Sequence, residues 1–124
     1  MDLLEIFRES NDQEAYPAGA VIIEEGSEGN HMYVVLEGEV AISLRDREIA
    51  TATAGEIVGE MALINAEIRS ATVTAATDCV LAVIDETSFR SMLKHVPDFN
   101  LHVMNVLADR LKMAYEMIDG QEVR

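Results

Sequence analysis

Basic residues are scarce in this sequence. Nine lysines and arginines stand against 23 aspartates and glutamates, which gives the 124 residues a formal net charge of −14. An acidic surface repels phosphate backbones and anionic headgroups, so neither nucleic acid nor a membrane is an expected partner. A small anion can still bind where one pocket concentrates positive charge. Most of the carboxylates are interpreted as a solvated surface that aids solubility.

Cysteine is nearly absent as well. Cys79, in the apolar run "CVLAVI", is the only one, which excludes an internal disulfide. We interpret it as a small buried residue in a protein of a reducing compartment. No apolar run has the length that spans a bilayer, and the first residues carry acids where a signal peptide carries positive charge. The sequence therefore predicts a soluble, cytoplasmic protein.

Catalytic and metal-binding patterns are also missing. His31, His95 and His102 lack metal-ligand spacing, and no nucleophile is paired with a base. We therefore expect no catalytic residue, no metal, no cofactor and no enzymatic activity. With 49% hydrophobic residues, the chain can form one compact domain without disulfides.

What the sequence does contain is a series of short apolar segments between turn residues. The segments "AVII", "HMYVVLE", "VAISL", "REIATAT", "SATVTAA" and "CVLAVI" are rich in β-branched residues, and glycine-containing breaks separate several of them. "AGEIVGE" is interpreted as one such break. Turn signals that recur about every ten residues predict an all-β barrel or sandwich.

Helices are predicted at both ends. A short helix with Asp2 as its N-cap opens the chain before "YPAG" breaks it, and Asp85 caps a second helix, "ETSFRSMLKHV". Pro97 is expected as the first residue of a long third helix that ends before Gly120. The apolar stripe of this last helix is Phe99, Val103, Val106, Leu107, Leu111, Ala114 and Ile118. Its surplus apolar surface favours either a homodimer seam or a mobile lid.

The stretch "GEMALINAEIRSATV" holds the only basic residue between Arg47 and Arg90, which is Arg69. A glycine-rich break, a Gly-Glu pair and "MAL" predict a strand followed by one helical turn. The free N–H groups and dipole of such a turn form an anion site. Gly59 and Ala62 would let a ligand approach the backbone, and the donor fork of Arg69 suits a phosphate.

Glu60 suits a ligand hydroxyl, because an ionised carboxylate only accepts hydrogen bonds. A phosphate beside a hydroxyl implies a nucleotide-like ligand. In the alternative interpretation Arg69 is a surface arginine paired with Glu56, Glu60 or Glu67. Glu60 would then be a solvated loop acid.

The run "VGEMALINAEIRSATV" resembles the phosphate-binding cassette of cyclic nucleotide-binding domains, F-G-E-x-A-L followed by P-R-x-A-T-V. The resemblance extends upstream through "GAVIIEEGSEGNHMYVVLEGEVAI" and covers about Tyr16 to Met117. It implies a mainly β fold, an eight-stranded β-roll at about 16–85 with hinge and lid helices at about 86–119. Residues 1–124 would form a single cyclic nucleotide-binding domain.

The resemblance also assigns roles. Arg69 would pair with the cyclic phosphate, and Glu60 would accept from the ribose 2′-hydroxyl. Backbone groups of Gly59, Met61, Ala62 and Ser70 would complete the cradle, and the Ser70 hydroxyl would donate to the phosphate. Arg110 resembles a position that reaches the purine in some channel-type members.

Two positions depart from the family pattern. Val58 replaces an aromatic residue, which thins the packing behind the cassette, and Ile68 replaces the proline before the arginine, which frees backbone rotation. Neither change removes a ligand-contacting charge, so binding is expected to survive in a weaker form. Ser70, where cGMP binders often have threonine, favours cAMP and leaves cGMP open.

The resulting hypothesis is a cytoplasmic sensor module that binds cAMP and changes shape on binding. Because no helix-turn-helix, kinase or channel segment follows in these 124 residues, its output would pass to a separate effector protein or an additional domain. The alternative is an interaction or scaffold module of the same fold with weak or lost nucleotide binding.

Overall fold

The computed structural model describes residues 1–64 and 69–122, with side chains in the last helix described through residue 118. The described chain divides into two compact units. Asp2–Phe89 forms one, and Met1 with Arg90–Arg124 forms the other.

The first unit is built from strands and two short helices. Helix α1 is Leu3–Phe7 and helix α2 is Met61–Ile64. The eight strands of the described residues are β1 (Gln13–Tyr16), β2 (Val21–Ile23), β3 (His31–Glu37), β4 (Val40–Leu44), β5 (Arg47–Ala52), β6 (Ile57–Val58), β7 (Thr72–Ala75) and β8 (Cys79–Asp85). They form two antiparallel sheets in the orders β1-β8-β3-β6 and β2-β7-β4-β5. This arrangement confirms the predicted eight-stranded β-roll.

The core lies between the two sheets, because both contribute side chains to one buried cluster. Tyr33, Val35 and Leu81 come from the first sheet, while Ile42 and Val73 come from the second. Strand β3 is buried over five consecutive residues, so it is covered on both faces. Helix α1 packs against β3. Each large apolar side chain buried here stabilises the fold by about 1.5–3 kcal/mol.

Two strands are not marked by an apolar segment of the sequence. The residues of β1, "QEAY", alternate between exposed and half-buried, so the segment lacks the apolar run that marked the other strands. Its pairing with β8 along all four residues, rather than its own propensity, makes it a strand. Strand β6 has two residues, both buried, within the segment interpreted as a glycine-rich break.

The predicted N-caps of two helices and the predicted burial of Cys79 are confirmed. The carboxylate of Asp2 accepts a hydrogen bond from the Glu5 N–H at 3.2 Å and caps α1. Asp85 does the same for helix α3, Glu86–His95, where its Oδ1 accepts from the Ser88 N–H at 2.7 Å. Cys79 is buried as predicted, and its thiol lies 3.1 Å from the Thr77 carbonyl oxygen.

The last helix, α4, runs from Phe99 to Glu122, and both of its predicted ends are wrong. It starts two residues after Pro97, because Val96–Phe99 form a turn in which the Phe99 N–H reaches the Val96 carbonyl at 3.3 Å. Asp98 has φ 66° in that turn, which no helix residue adopts. Gly120 does not end the helix, since an internal glycine costs only about 1 kcal/mol.

Candidate functional site

The cassette begins where β6 gives way to α2. Gly59 has φ +82°, a conformation that favours glycine, and Glu60 follows directly. The Leu63 N–H donates to the Glu60 carbonyl at 3.1 Å and closes the single helical turn. The predicted sequence of strand, Gly-Glu pair and helical turn is therefore confirmed.

The backbone of Arg69 is held by the turn at Glu24–Ser27. The Arg69 N–H donates to the Ser27 carbonyl at 2.7 Å, and the Arg69 carbonyl accepts from the Gly26 N–H at 2.9 Å. Gly26 has φ +85° at the third position of this turn, where a type II turn requires glycine. Two reciprocal hydrogen bonds therefore fix the direction in which the Arg69 side chain leaves the backbone.

The guanidinium of Arg69 lies inside the protein. Arg69 is 6% exposed, and its Nη1 donates to the Gly59 carbonyl at 3.1 Å. Burial lowers the pKa of Arg69, and the nearby phenol of Tyr33 partly opposes that shift. The alternative of a surface arginine is therefore wrong. Glu56, one of its suggested partners, accepts instead from the N–H and hydroxyl of Thr53, at 2.8 and 3.0 Å.

Two glycines border this guanidinium closely. A Cβ built on Gly29 would lie 2.1 Å from Arg69 Nε and 2.4 Å from its Cζ. A Cβ on Gly59 would lie 3.0 Å from Arg69 Nη1 and 3.0 Å from Ile23 Cδ1. The arginine head thus occupies space that exists because both positions lack a side chain. The sequence marked Gly59 as part of the site and gave no such role to Gly29.

Glu60 is fully buried, with 0% exposure, and its Oε2 is sealed from solvent. It is therefore not the solvated loop acid of the alternative interpretation. A carboxylate is kept at such a position only where hydrogen bonds or charges compensate the loss of hydration. The buried polar and charged residues of the described chain are Glu60 and Arg69, which are nine positions apart in sequence.

Tyr33 is a neighbour of the site that sequence reasoning missed. It is 4% exposed, and its hydroxyl is 2.9 Å from His31 Nε2, with the two rings edge to face at 5.2 Å. Burial raises the pKa of Tyr33, while the positive charge of Arg69 opposes the shift. Tyr33 therefore stays a neutral phenol beside the buried cation. Its sequence context, a β-branched strand, gave no sign of this proximity.

The other predicted site residues differ in exposure. Met61 and Ser70 are exposed, and Ala62 is half-buried. Arg110 lies half-buried on α4, in the unit formed by Met1 and Arg90–Arg124. Ile68 and Glu67 lie outside the described residues. The ligand-binding roles of all these residues stay predictions.

The described residues lack two kinds of feature. They hold no group of three or more His, Cys, Asp or Glu side chains arranged to bind a metal ion. None of the helices in the described chain combines the length and apolarity needed to cross a membrane.

Comparison with known proteins identifies the family. The family model described as the cyclic nucleotide-binding domain matches residues 13–96. A cAMP-dependent protein kinase regulatory subunit of Eremothecium gossypii is 39% identical over 84 residues, which are 68% of this chain and 18% of that protein. The Pycsar effector protein PaPycTIR of Pseudomonas aeruginosa is 32% identical over 118 residues, 94% of this chain and 38% of that protein.

A solved structure described as Sp-2Cl-cAMPS bound to PKAR CBD2 superposes with a TM-score of 0.76 and 26% identity. The match covers 92% of this chain and 84% of that one. The chain spans well under half the length of either relative named above, both of which are larger proteins. Because the family model matches more than half of its residues, the chain belongs to the cyclic nucleotide-binding domain family.

Proposed function

We propose that the chain binds cAMP at the cassette and acts as a ligand-switched regulatory module without catalysing a reaction. The observation that carries the proposal is the buried guanidinium of Arg69 in an otherwise acidic chain. The folded protein already bears the cost of removing this cation from water. An anion that enters the site recovers part of that cost, since it brings a negative charge close to the guanidinium.

The acidic surface favours a ligand with a single negative charge. A cyclic phosphodiester carries one negative charge, whereas the terminal phosphate of a linear nucleotide carries close to two. With a net charge of −14, the chain repels the linear nucleotide more strongly at long range. One arginine can neutralise a cyclic phosphate and leaves a linear one with excess charge in a buried place.

In the proposed complex, Arg69 holds the cyclic phosphate and Glu60 accepts a hydrogen bond from the ribose 2′-hydroxyl. Backbone groups of Gly59, Met61 and Ala62 line the same ligand. Two observations support these roles. Glu60 and Arg69 are the buried charged residues of the described chain, and Gly59 contacts the Arg69 head. In addition, Ser70 would donate to the phosphate, and Arg110 would approach the purine.

The preference for cAMP is supported by the relatives. The Eremothecium relative is named a cAMP-dependent protein kinase regulatory subunit, and the solved neighbour is described as bound to Sp-2Cl-cAMPS. Ser70 is exposed, so its hydroxyl does not distinguish the two bases as sharply as a buried hydrogen bond would. We therefore propose cAMP as the preferred ligand and cGMP as a weaker one.

A switch requires that cAMP bind one conformation more tightly than another. The division of the chain into two compact units supports a switch of this kind. Amide hydrogen exchange of α3 and α4, measured with and without saturating cAMP, tests this step. Unchanged exchange in both helices would contradict the switch and leave simple binding.

The direct test of binding is calorimetric titration of the purified chain with cAMP, cGMP and 5′-AMP at constant salt. We expect the affinity to fall in the order cAMP, cGMP, 5′-AMP. At 100 times its Kd, cAMP should stabilise the fold by about 2.7 kcal/mol. The thermal midpoint should then rise by several degrees. If millimolar cAMP and cGMP give neither heat nor a thermal shift, the chain is better explained as a scaffold module of the same fold.

We further propose a homodimer formed along α4. A row of exposed residues follows alternating steps of three and four, which is the seam of a two-stranded coiled coil. Its members are Leu101, Met104, Ala108, Leu111, Tyr115 and Ile118. The stripe that the sequence predicted is split in the structure, with Phe99 and Val103 buried and Leu111 exposed. Sedimentation should show a dimer that Leu111→Glu converts to a monomer, and a monomeric parent would exclude the seam.

The output of such a module would pass to an effector protein or an additional domain in the cytoplasm. The naming of PaPycTIR as an effector protein supports the link to an effector.

A further inference from the structure

We propose that Gly29 is a positioning residue for the anion site, because its missing side chain sets where the Arg69 guanidinium lies. The inference rests on the proposed function, since it names a residue outside the cassette on which cyclic nucleotide affinity depends. Gly29 belongs to the segment between β2 and β3, 40 positions before Arg69.

The contact is with the head of the arginine and not with its stem. A Cβ at position 29 would meet Nε at 2.1 Å, Cζ at 2.4 Å and Nη2 at 2.7 Å. Ordinary contact between such atoms begins near 3.4 Å, so the Nε alone would have to move by about 1.3 Å, the difference between 3.4 and 2.1 Å. The donor–acceptor distances of N–H···O hydrogen bonds vary over a range of only about 0.5 Å. A shift of this size therefore takes the guanidinium out of hydrogen-bonding register.

The backbone does not explain why this residue is glycine. Gly19, Gly26, Gly38, Gly55 and Gly59 all have positive φ, whereas Gly29 does not. An alanine at position 29 can therefore keep the same backbone. Its cost falls on the head of the arginine and not on the backbone, so the fold should tolerate the change while the arginine loses its position.

Gly59 borders the guanidinium on a second side and limits how far the head of Arg69 can move. Arg69 Nη1 donates to the Gly59 carbonyl at 3.1 Å and lies 3.0 Å from the Cβ position of Gly59. Two backbone hydrogen bonds to the Glu24–Ser27 turn hold the other end of the residue. The head of Arg69 is thus fitted between fixed backbone segments, with little room for an alternative placement.

The test compares Gly29→Ala, Arg69→Ala and the double variant with the parent, using cAMP as the probe. Gly19→Ala is the matched control, because Gly19 has φ +92° and nothing within 4 Å of its Cβ position. We expect Gly29→Ala to weaken cAMP binding about 30-fold or more, as for loss of a charged partner. The control should lower the thermal midpoint through backbone strain and leave the Kd unchanged.

The double variant separates positioning from general damage. If Gly29 acts through Arg69, adding Gly29→Ala to Arg69→Ala should change the Kd less than twofold. Binding of Gly29→Ala within twofold of the parent would overturn the inference. So would a loss of affinity in the Arg69→Ala background as large as the loss in the parent.

The thermal midpoints of the same four proteins without nucleotide give an independent result. Crowding at position 29 predicts that Gly29→Ala lowers the midpoint more in the parent than in Arg69→Ala, where the space is open. If the parent binds neither cAMP nor cGMP, the proposed function fails, and this comparison still tests the contact. Equal shifts in both backgrounds would exclude the contact, whatever the ligand.

Discussion

Replacing Arg69 with alanine should weaken cAMP binding by about 30- to 4000-fold. Arg69 is 6% exposed, and burial already lowers the pKa of its guanidinium, so its charge interacts with little screening by water. Truncating one member of a buried, hydrogen-bonded charge pair costs about 2–5 kcal/mol. Each 1.4 kcal/mol corresponds to a tenfold change in Kd, which gives the range above.

The same substitution should change the stability of the unliganded protein much less. Alanine removes the hydrogen bond to the Gly59 carbonyl, and a bond to a charged donor is worth about 1.5–3 kcal/mol. It also removes a cation whose burial is unfavourable, so the two effects partly cancel. A large loss of affinity with a small change in the free energy of unfolding therefore identifies Arg69 as a ligand contact.

Two further variants make the experiment specific. Arg69→Lys keeps the positive charge but loses the planar donor fork, so its affinity should fall between those of the parent and the alanine variant. Arg47→Ala removes an exposed arginine from β5 and makes the same change in net charge. It should bind cAMP like the parent.

Calorimetric titration with cAMP at constant salt, with urea unfolding of each variant, supplies both quantities. Binding of the alanine variant within threefold of the parent would refute the assignment of the phosphate to Arg69. An equal loss in Arg47→Ala would attribute the effect to the overall charge of the protein rather than to the site.

Three other substitutions test the role of Glu60, the cap of α3 and the residue before Arg69. Glu60→Gln keeps an oxygen acceptor in the buried position, so it should lose only about fivefold in cAMP titrations, roughly 1 kcal/mol; a loss as large as that of Arg69→Ala contradicts the assigned roles. The N–H of the first turn of α3 lowers the pKa of Asp85, so its stabilisation is present above about pH 4 and lost as the pH falls through its lowered pKa. Thermal midpoints of Asp85→Asn should lie below those of the parent at pH 7 and converge with them near pH 3, and a constant gap excludes this cap effect. Ile68→Pro should change the cAMP Kd less than threefold, because contacts elsewhere already orient the arginine, and a tenfold gain would argue otherwise.

The all-β architecture was predictable from the sequence because local residue types mark its turns, while the β-roll was implied by the family resemblance. Polar and glycine residues at intervals of about ten mark the ends of most strands, and the cap residues Asp2 and Asp85 mark two of the helices. Strands β1 and β6, which no apolar segment marks, are defined by their partners β8 and β3. Pairing between distant segments leaves no periodic signal in such short stretches, so β1 was missed and only the motif before the helical turn indicated β6.

The site was predictable only in part for a similar reason. Arg69 was recognisable because it is an isolated basic residue at a set spacing from Gly59 and Glu60. The burial of Glu60 was not recognisable, since a glutamate in a glycine-rich loop has the same sequence pattern whether it is exposed to solvent or buried. The role of Gly29 was not recognisable either, because the sequence does not distinguish a glycine required for space from a glycine required for a turn.

The contacts of Arg69 also bear on the replacement of the family's proline by Ile68. A proline before the arginine restricts the backbone on the N-terminal side of that residue. In this chain, the Gly26 N–H and the Ser27 carbonyl bond to both backbone groups of Arg69 itself. The guanidinium then meets Gly29 and Gly59, so both ends of the side chain are held. The orientation of the arginine is therefore determined mainly by the turn at Glu24–Ser27, and we expect a freer residue at position 68 to cost little precision in the placement of the guanidinium.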